Sequence, residues 1–525
     1  MPEAGATQSS LHPAGDQPIR VIFGALMLVM LLASLDQTIV STALPTIVGE
    51  FDELAHLSWI VTAYLLATTI VTPLYGKLGD LFGRKIGLQS AILLFLVGSA
   101  LCGFSRSMTE LIAFRALQGL GGGGLMVTIM AVVGDLFSPR ERGRYQGIFG
   151  GIFGLSTVLG PLIGGFFVEQ LSWRWIFYVN LPLGLVALVI IGWAFTAPAP
   201  RRRPSLDIAG AVLLAVMLTA LIFLASLGGH SFAWLSPTAV ALAGLALAAL
   251  AGFIVIEGAA AEALLPLHLF GNPTFAIACA VGFIVGLALF GSVTFMPLYL
   301  QVVKGVSPTD AGMMLTPMMA GVLVTSITSG RIISRIGRYR LFPIIGTAVM
   351  TVGLGLLGTL DVATGFWRTC FYMIVVGLGV GLVMQVLVLA VQNAVEYAHL
   401  GVATSGATLF RSIGGSIGVS LFGAIFTAQL IANLSAYQPA GAALSAATAP
   451  AAIRALPPAT LVLYLDAFTA ALHPVFLAAA AIAALGFALT WFLKEVPLRD
   501  AAPPLPSRPS PPPPYSEGSK FPGGS

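Results

Sequence analysis

Charge is what this sequence has least of: Asp, Glu, Lys and Arg make up only 9% of its 525 residues, against about 25% in a soluble domain. That scarcity excludes a water-soluble protein. Cysteine is almost absent too, and Cys102, Cys279 and Cys370 lie far apart inside apolar blocks. Neither a disulfide framework nor a metal cluster is expected. The 6 histidines are scattered, without an H-E-x-x-H spacing, so metal ligation and nucleophilic catalysis have no support and an enzyme is not expected. No G-x-x-x-x-G-K-[ST] occurs, which excludes ATP hydrolysis by a P-loop. Gly119, Gly121 and Gly124 do satisfy G-x-G-x-x-G, but no strand precedes them, and helix packing explains them better than a dinucleotide. The net charge of +4, from 25 Lys+Arg and 21 Asp+Glu, is too small for nucleic-acid binding.

Hydrophobic residues instead reach 57% and fall in block after block of the length that crosses a roughly 30 Å hydrocarbon core as a helix. Spans are expected near 20–44, 57–76, 86–105, 108–134, 145–168, 175–197, 207–227, 235–256, 273–301, 310–329, 341–360, 367–391, 402–430 and 472–493. The fold class is therefore all-α and polytopic, with about fourteen spans in a lipid bilayer. The first block is too long for a cleavable signal and has a polar leader, so it stays as the first helix. Alternate loops differ in basic content: one set holds Lys77, Arg84, Lys85, Arg140, Arg142, Arg144, Arg201, Arg202, Arg203, Arg331, Arg335, Arg338 and Arg340, the other only Arg106, Arg174, Lys304, Arg368 and Arg454. The first set is expected on the cytoplasmic side, with both termini.

A repeat appears in the charged loops. Gly76-Lys-Leu-Gly-Asp80-Leu-Phe-Gly83-Arg84-Lys85 aligns without gaps with Gly330-Arg-Ile-Ile-Ser334-Arg-Ile-Gly337-Arg338-Tyr339, at an offset of 254 residues. Two related six-span halves follow, with two further helices between them and a substrate site at their interface. The expected layout is an N-terminal segment 1–19, a first bundle 20–197, two linker helices 204–257, a second bundle 272–493 with an outer segment 431–471, and a disordered proline-rich tail 496–525. Within the outer segment, Leu461 to Ala471 reads as a helix lying on the membrane surface or as a tolerated insertion.

Ionisable residues well inside apolar helices are costly and mark function. Three stand out: Asp36, Arg115 and Arg411. Asp36 lies about 24 Å past Arg20, and Arg115 about 10 Å in from Met108 on a helix running the other way, so their depths match. The pair is either a structural tie or a proton-carrying acid with its regulator. Arg411 lies about 18 Å beyond His399 with no acid at its depth. It either contacts backbone carbonyls or a polar lining of Gln385, Gln392 and Asn393, or receives an anionic group of a substrate; Gln118 is a further candidate for a polar substrate lining.

The segment Leu35-Asp36-Gln-Thr38-Ile39-Val40-Ser-Thr-Ala43-Leu44-Pro45 resembles the first-helix motif of the fourteen-span drug:proton antiporters of the major facilitator superfamily. Gly76, Asp80, Gly83, Arg84 and Lys85 resemble the superfamily's inner-loop motif, whose acid latches the halves. Arg115 with Gln118 and Gly119 resembles the fourth-helix motif implicated in proton transfer. Gly160, Pro161, Gly164 and Gly165 resemble the antiporter motif, although Ser156 stands where a glycine is often found. Trp173 to Pro182 is also similar to the group. The resemblance implies proton-coupled efflux of amphipathic small molecules, neutral or monocationic, by a monomer in a bacterial cytoplasmic membrane. It implies no cofactor beyond the proton gradient. Export of a lipid or an endogenous antibiotic would use the same motifs, and a transport-dead receptor would keep the fold.

Overall fold

The computed structural model describes residues 19–51, 57–195, 207–228, 232–260, 262–437, 453 and 456–498. In chain order the helices are α1 (Ile19–Phe51), α2 (Leu57–Phe82), α3 (Arg84–Phe104), α4 (Met108–Leu136), α5 (Pro139–Gln170), α6 (Trp175–Tyr178), α7 (Asn180–Ala194), α8 (Ile208–Leu227) and α9 (Pro237–Ala259). They continue as α10 (Pro273–Val293), α11 (Phe295–Val302), α12 (Pro308–Met313), α13 (Thr316–Ile336), α14 (Leu341–Leu357), α15 (Phe366–Ala394), α16 (Leu400–Tyr437) and α17 (Pro458–Thr490). Among the described residues 13 segments are long and apolar enough to cross a membrane, and Leu341–Leu357 is a shorter apolar helix that completes the expected series. No strand occurs among the described residues beyond one isolated bridge, Gly228 to Phe232.

Helix ends follow local chemistry. Ser107 caps α4 by accepting from the Glu110 amide, and Ser138 with Glu141 forms a reciprocal capping box at α5, satisfying amides that a helix start leaves orphaned. Gly83 takes φ 95° between α2 and α3, and Gly337 takes φ 76° after α13. These glycines occupy equivalent places in the repeat, and both take a positive φ that a Cβ would strain, although Gly337 alone is in the left-handed helical conformation.

The long apolar core of the second bundle takes in Leu214, Leu218 and Phe253 of the two extra helices. The first bundle has its own clusters, around Leu26, Phe95 and Phe149 and around Ile39, Trp173 and Phe177. α8 packs on α9, α2 and α16, while most of the α9 surface faces outward. Large apolar side chains such as Trp193, Leu247 and Val255 stay exposed, as expected where lipid rather than water is the solvent.

The outer segment departs from expectation. α16 runs on to Tyr437 and α17 begins at Pro458, so Leu461 to Ala471 is the first part of the last transmembrane helix rather than a separate surface helix. Ala467, Phe468 and Ala471 are buried in the second core, and Asn433 Nδ2 donates to the Ala467 carbonyl at 3.0 Å. Alanine-rich composition favours helix, and Pro474 is carried within it. The rest of the expected outer segment, like the proline-rich tail, lies outside the described residues.

Candidate functional site

Asp36 on α1 and Arg115 on α4 meet: Arg115 Nη1 lies 2.8 Å from Asp36 Oδ2, and their side chains are 2% and 0% exposed. The carboxylate accepts two more bonds at its other oxygen, from Gln118 Nε2 at 2.7 Å and Asn180 Nδ2 at 3.1 Å. Asn180 and Gln118 both donate to Ser99 Oγ, which in turn donates to the Phe177 carbonyl. Arg115 also donates to Gln118 Oε1 at 2.7 Å, and its guanidinium lies 4.2 Å from the centre of the Tyr64 ring. A buried charge is tolerable only when paired and hydrogen-bonded. Here each charge has its counter-ion and a polar second partner.

Helix geometry assembles this group. The run Gly119 to Gly124 draws α4 close to the backbones of α2 and α3, since a Cβ on Gly121 would strike Phe95 and one on Gly119 the Tyr64 carbonyl. The chain stays helical through Val179, from α6 into α7, and Asn180 lies on the buried face of that continuous span. Sequence reasoning missed Ser99 and Tyr64, and held Asn180 only within the Trp173 to Pro182 resemblance, without a role. Asn180 had one available signal, an amide just beyond the Trp173 to Tyr178 aromatic run.

At the end of the molecule bearing the basic loops, the halves meet in two seams. In the first, Asp80 of α2 accepts from the backbone amides of Gly401 at 3.1 Å and Val402 at 2.9 Å, at the start of α16. Arg84 holds that carboxylate at 2.5 Å and reaches Asp135 at 2.8 Å. Gly76 lets the helices touch, because a Cβ there would collide with Ser405. Arg84 is thus buried between two acids, Asp80 and Asp135, rather than loose in a loop. Lys85 donates to the Gly192 carbonyl near the end of α7. In the second seam α5 lies on α13, where a Cβ on Gly330 would strike the Gly143 carbonyl. Gln146 Nε2 donates to Gln392 Oε1 at 2.8 Å across it.

Towards the other end of α5, Thr38 of α1 donates to the Ser156 carbonyl at 3.0 Å and packs where Gly160 has no side chain. Pro161 rests on Gly312 of α12. Gly164 and Gly165 are buried in the same helix.

The expected polar lining is not one surface. Gln118 belongs to the Asp36 network. Gln392 donates to the Met130 carbonyl and to Thr404 within the closed seam. Asn393 donates to the Val496 carbonyl and, with Arg142, Asn272 and Glu396, borders a cavity of about 410 Å³ at the basic end. Gln385 sits at the α5–α13 contact, beside Gly150. Helical periodicity scatters these residues along different faces and depths. Arg411 stands apart: it is half-buried, touches α10 near Gly282 and Gly286, and has no hydrogen bond or ion pair among the described residues. It lies seven residues beyond Thr404, hence on nearly the same helix face and about 10 Å further from the closed seam.

At the opposite end, Glu50 accepts from Trp173 Nε1 at 2.6 Å and pairs with Arg174 at 2.9 Å. Hydrogen bonds from Arg174 and then Trp173 hold its carboxyl below the usual glutamate value.

Comparison with known proteins agrees with this fold. The sequence profile of the Major Facilitator Superfamily matches residues 26–419. An uncharacterized MFS-type transporter of Mycobacterium tuberculosis is 43% identical over 505 residues, covering 95% of this chain and 74% of that protein. The multidrug transporter protein MdtP of Bacillus subtilis is 41% identical, covering 78% and 75%. Among solved structures, the human organic anion transporter MFSD10 superposes with a TM-score of 0.63 at 16% identity, over 90% of this chain and 99% of that one.

Proposed function

Because the chain belongs to the major facilitator superfamily, and is a multi-pass membrane transporter rather than an enzyme, we propose that it exports amphipathic small molecules in exchange for protons by alternating access. The substrates are neutral or monocationic drugs and dyes. The basic end faces the cytoplasm, so the closed seams at Asp80 and Gln146 shut the pathway on that side. Relatives named as multidrug transporters support efflux.

The observation that carries the coupling is the Asp36–Arg115 pair, sealed from solvent among Gln118, Asn180 and Ser99. While Arg115 is drawn away the carboxylate must take up a proton or stay buried and unpaired, and substrate entry that restores the Asp36–Arg115 pair then expels that proton. One charge crossing 100 mV is worth about 2.3 kcal/mol. One proton exchanged for a neutral substrate therefore sustains roughly a fifty-fold gradient from potential alone. For a monocation the exchange is electroneutral, and the pH difference drives it.

The test is proton release on adding a substrate dye to purified protein, with pH-gradient-driven uptake into inverted vesicles. Asp36→Asn should abolish both. Near-normal values in that variant would reduce the pair to a structural tie.

A further inference from the structure

The two helices between the halves carry a pair of facing carboxylates that the transport reading does not use. Asp207 caps α8, with Oδ1 accepting from the Gly210 amide at 2.8 Å. Glu257, in the last turn of α9, is 3% exposed and accepts at Oε1 from the Leu265 amide. The remaining oxygens, Asp207 Oδ2 and Glu257 Oε2, are both buried and lack a donor among the described residues. They face one spot: a Cβ on Gly210 would meet Asp207 Oδ2 and, at 3.0 Å, Glu257 Oε2.

Two ionised carboxylates so placed would repel each other in a poorly solvated site, and each would lack a hydrogen bond whose absence is expensive. One proton cures both defects, since a protonated carboxyl is a donor and its partner an acceptor. A divalent cation fits less well. Calcium takes six to eight oxygens, and no third acid, histidine or cysteine joins the pair among the described residues. The neighbouring cation is already committed, as Lys77 of α2 lies 2.7 Å from Glu262. The other titratable neighbours are distant in role: His268 rests on His399 at 5.3 Å, Asp80 binds Arg84 and α16, and α16 carries Arg411 alone among acids and bases between Leu400 and Leu434.

We propose that Glu257 and Asp207 form a second proton-binding site, one proton shared between Glu257 Oε2 and Asp207 Oδ2, which ties the ends of α8 and α9 together at the basic face. The bound proton acts as a cross-link within a hairpin that packs on α2 and α16, the helices joined by the Asp80 latch. Loss of the proton sets two negative charges face to face beside Lys77 and loosens the hairpin there. Such a coupled pair titrates as a unit rather than as two separate acids.

The site is tested without substrate, in the full chain carrying Asp36→Asn and reconstituted in lipid nanodiscs, so the outcome is independent of the coupling role given to Asp36. Infrared difference spectra at neutral pH should show a protonated-carboxyl C=O band that disappears in Glu257→Gln and in Asp207→Asn, and that titrates away as pH rises. Because the folded state holds a proton that the unfolded state releases, the melting temperature should fall as pH rises through that transition. Glu257→Gln, whose amide can donate to Asp207 in the proton's place, should remove that pH dependence while keeping the fold. A band equal in all three proteins, or no band at neutral pH, would overturn the proposal. A band abolished by added sodium or calcium, with a matching rise in melting temperature, would overturn it in favour of a cation site.

Discussion

Arg140 Nε lies 2.8 Å from the main-chain oxygen of Ser334, the residue that stands in the second half where Asp80 stands in the first. The same guanidinium donates to the Arg335 carbonyl at 2.7 Å. The repeat has lost its acid in the second copy, and a base from the opposite half occupies that place. The two seams are therefore complementary: Asp80 caps the N-terminus of α16, and Arg140 caps the C-terminus of α13. Each charge has the sign that its helix end favours.

This relationship predicts two latches. Asp80→Asn and Arg140→Ala should each weaken closure by about 1 kcal/mol, roughly a five-fold population shift, with near-additive effects if the seams act independently. The readout is the labelling rate of a single cysteine at Ser329, which is 2% exposed in the closed seam. Unchanged rates in both variants would leave the basic loops as topology signals alone.

The Asp36–Arg115 pair should be costly to halve. Arg115→Ala leaves a buried carboxylate without its counter-ion and should destabilise the protein by roughly 3–5 kcal/mol. Adding Asp36→Asn should recover part of that loss. A double mutant no more stable than Arg115→Ala would show that the two charges do not depend on each other.

Glu50 supplies a pH signature at the opposite end. Its carboxyl titrates below the usual glutamate value because Arg174 and Trp173 donate to it. The contribution of this tie is present above the unfolded glutamate value of about 4.3 and is lost as pH falls through the lower folded value. In a protein keeping Trp173 as its sole tryptophan, fluorescence should change on acidification through that range. Glu50→Gln should remove the transition.

Orientation is checked by labelling. Cys102, Cys279 and Cys370 are buried, so the background should be low. A cysteine introduced between Ser138 and Arg144 should be blocked from the cytoplasm only, and one at Ala442 from outside only. The reverse pattern would invert the topology.

Arg411 offers a trade-off. An unpaired cation within an apolar helix is costly, so Arg411→Met should raise the melting temperature while reducing transport of some substrates. A variant with unaltered stability and an unaltered substrate profile would remove Arg411 from the pathway.

Much of this molecule was readable along the chain. Span positions follow from the cost of backbone and charge in hydrocarbon, which only long apolar helices avoid. The repeat announced two halves, and its glycines at Gly83 and Gly337 both proved to take a positive φ. The depth argument for Asp36 and Arg115 needed only the rise per residue and two opposed helices. Local reading failed where a residue's role depends on a distant helix. Gln385, Gln392 and Asn393 look alike in an apolar run, yet they reach a helix contact, a seam and the Val496 carbonyl respectively.

By itself, then, the sequence determined the bilayer as solvent, the places of most membrane spans, and the acid and base that had to meet inside it. Those choices rest on transfer energies that each segment meets locally. Only the tertiary structure decided that Asn180 and Ser99 complete the Asp36 site, that Arg140 answers the missing acid at Ser334, and that Asp207 faces Glu257. Those pairings span gaps of 50 to 194 positions in the numbering. Hydrogen bonds and ion pairs act over a few ångströms, so no local pattern encodes them, and packing alone brings such partners within reach.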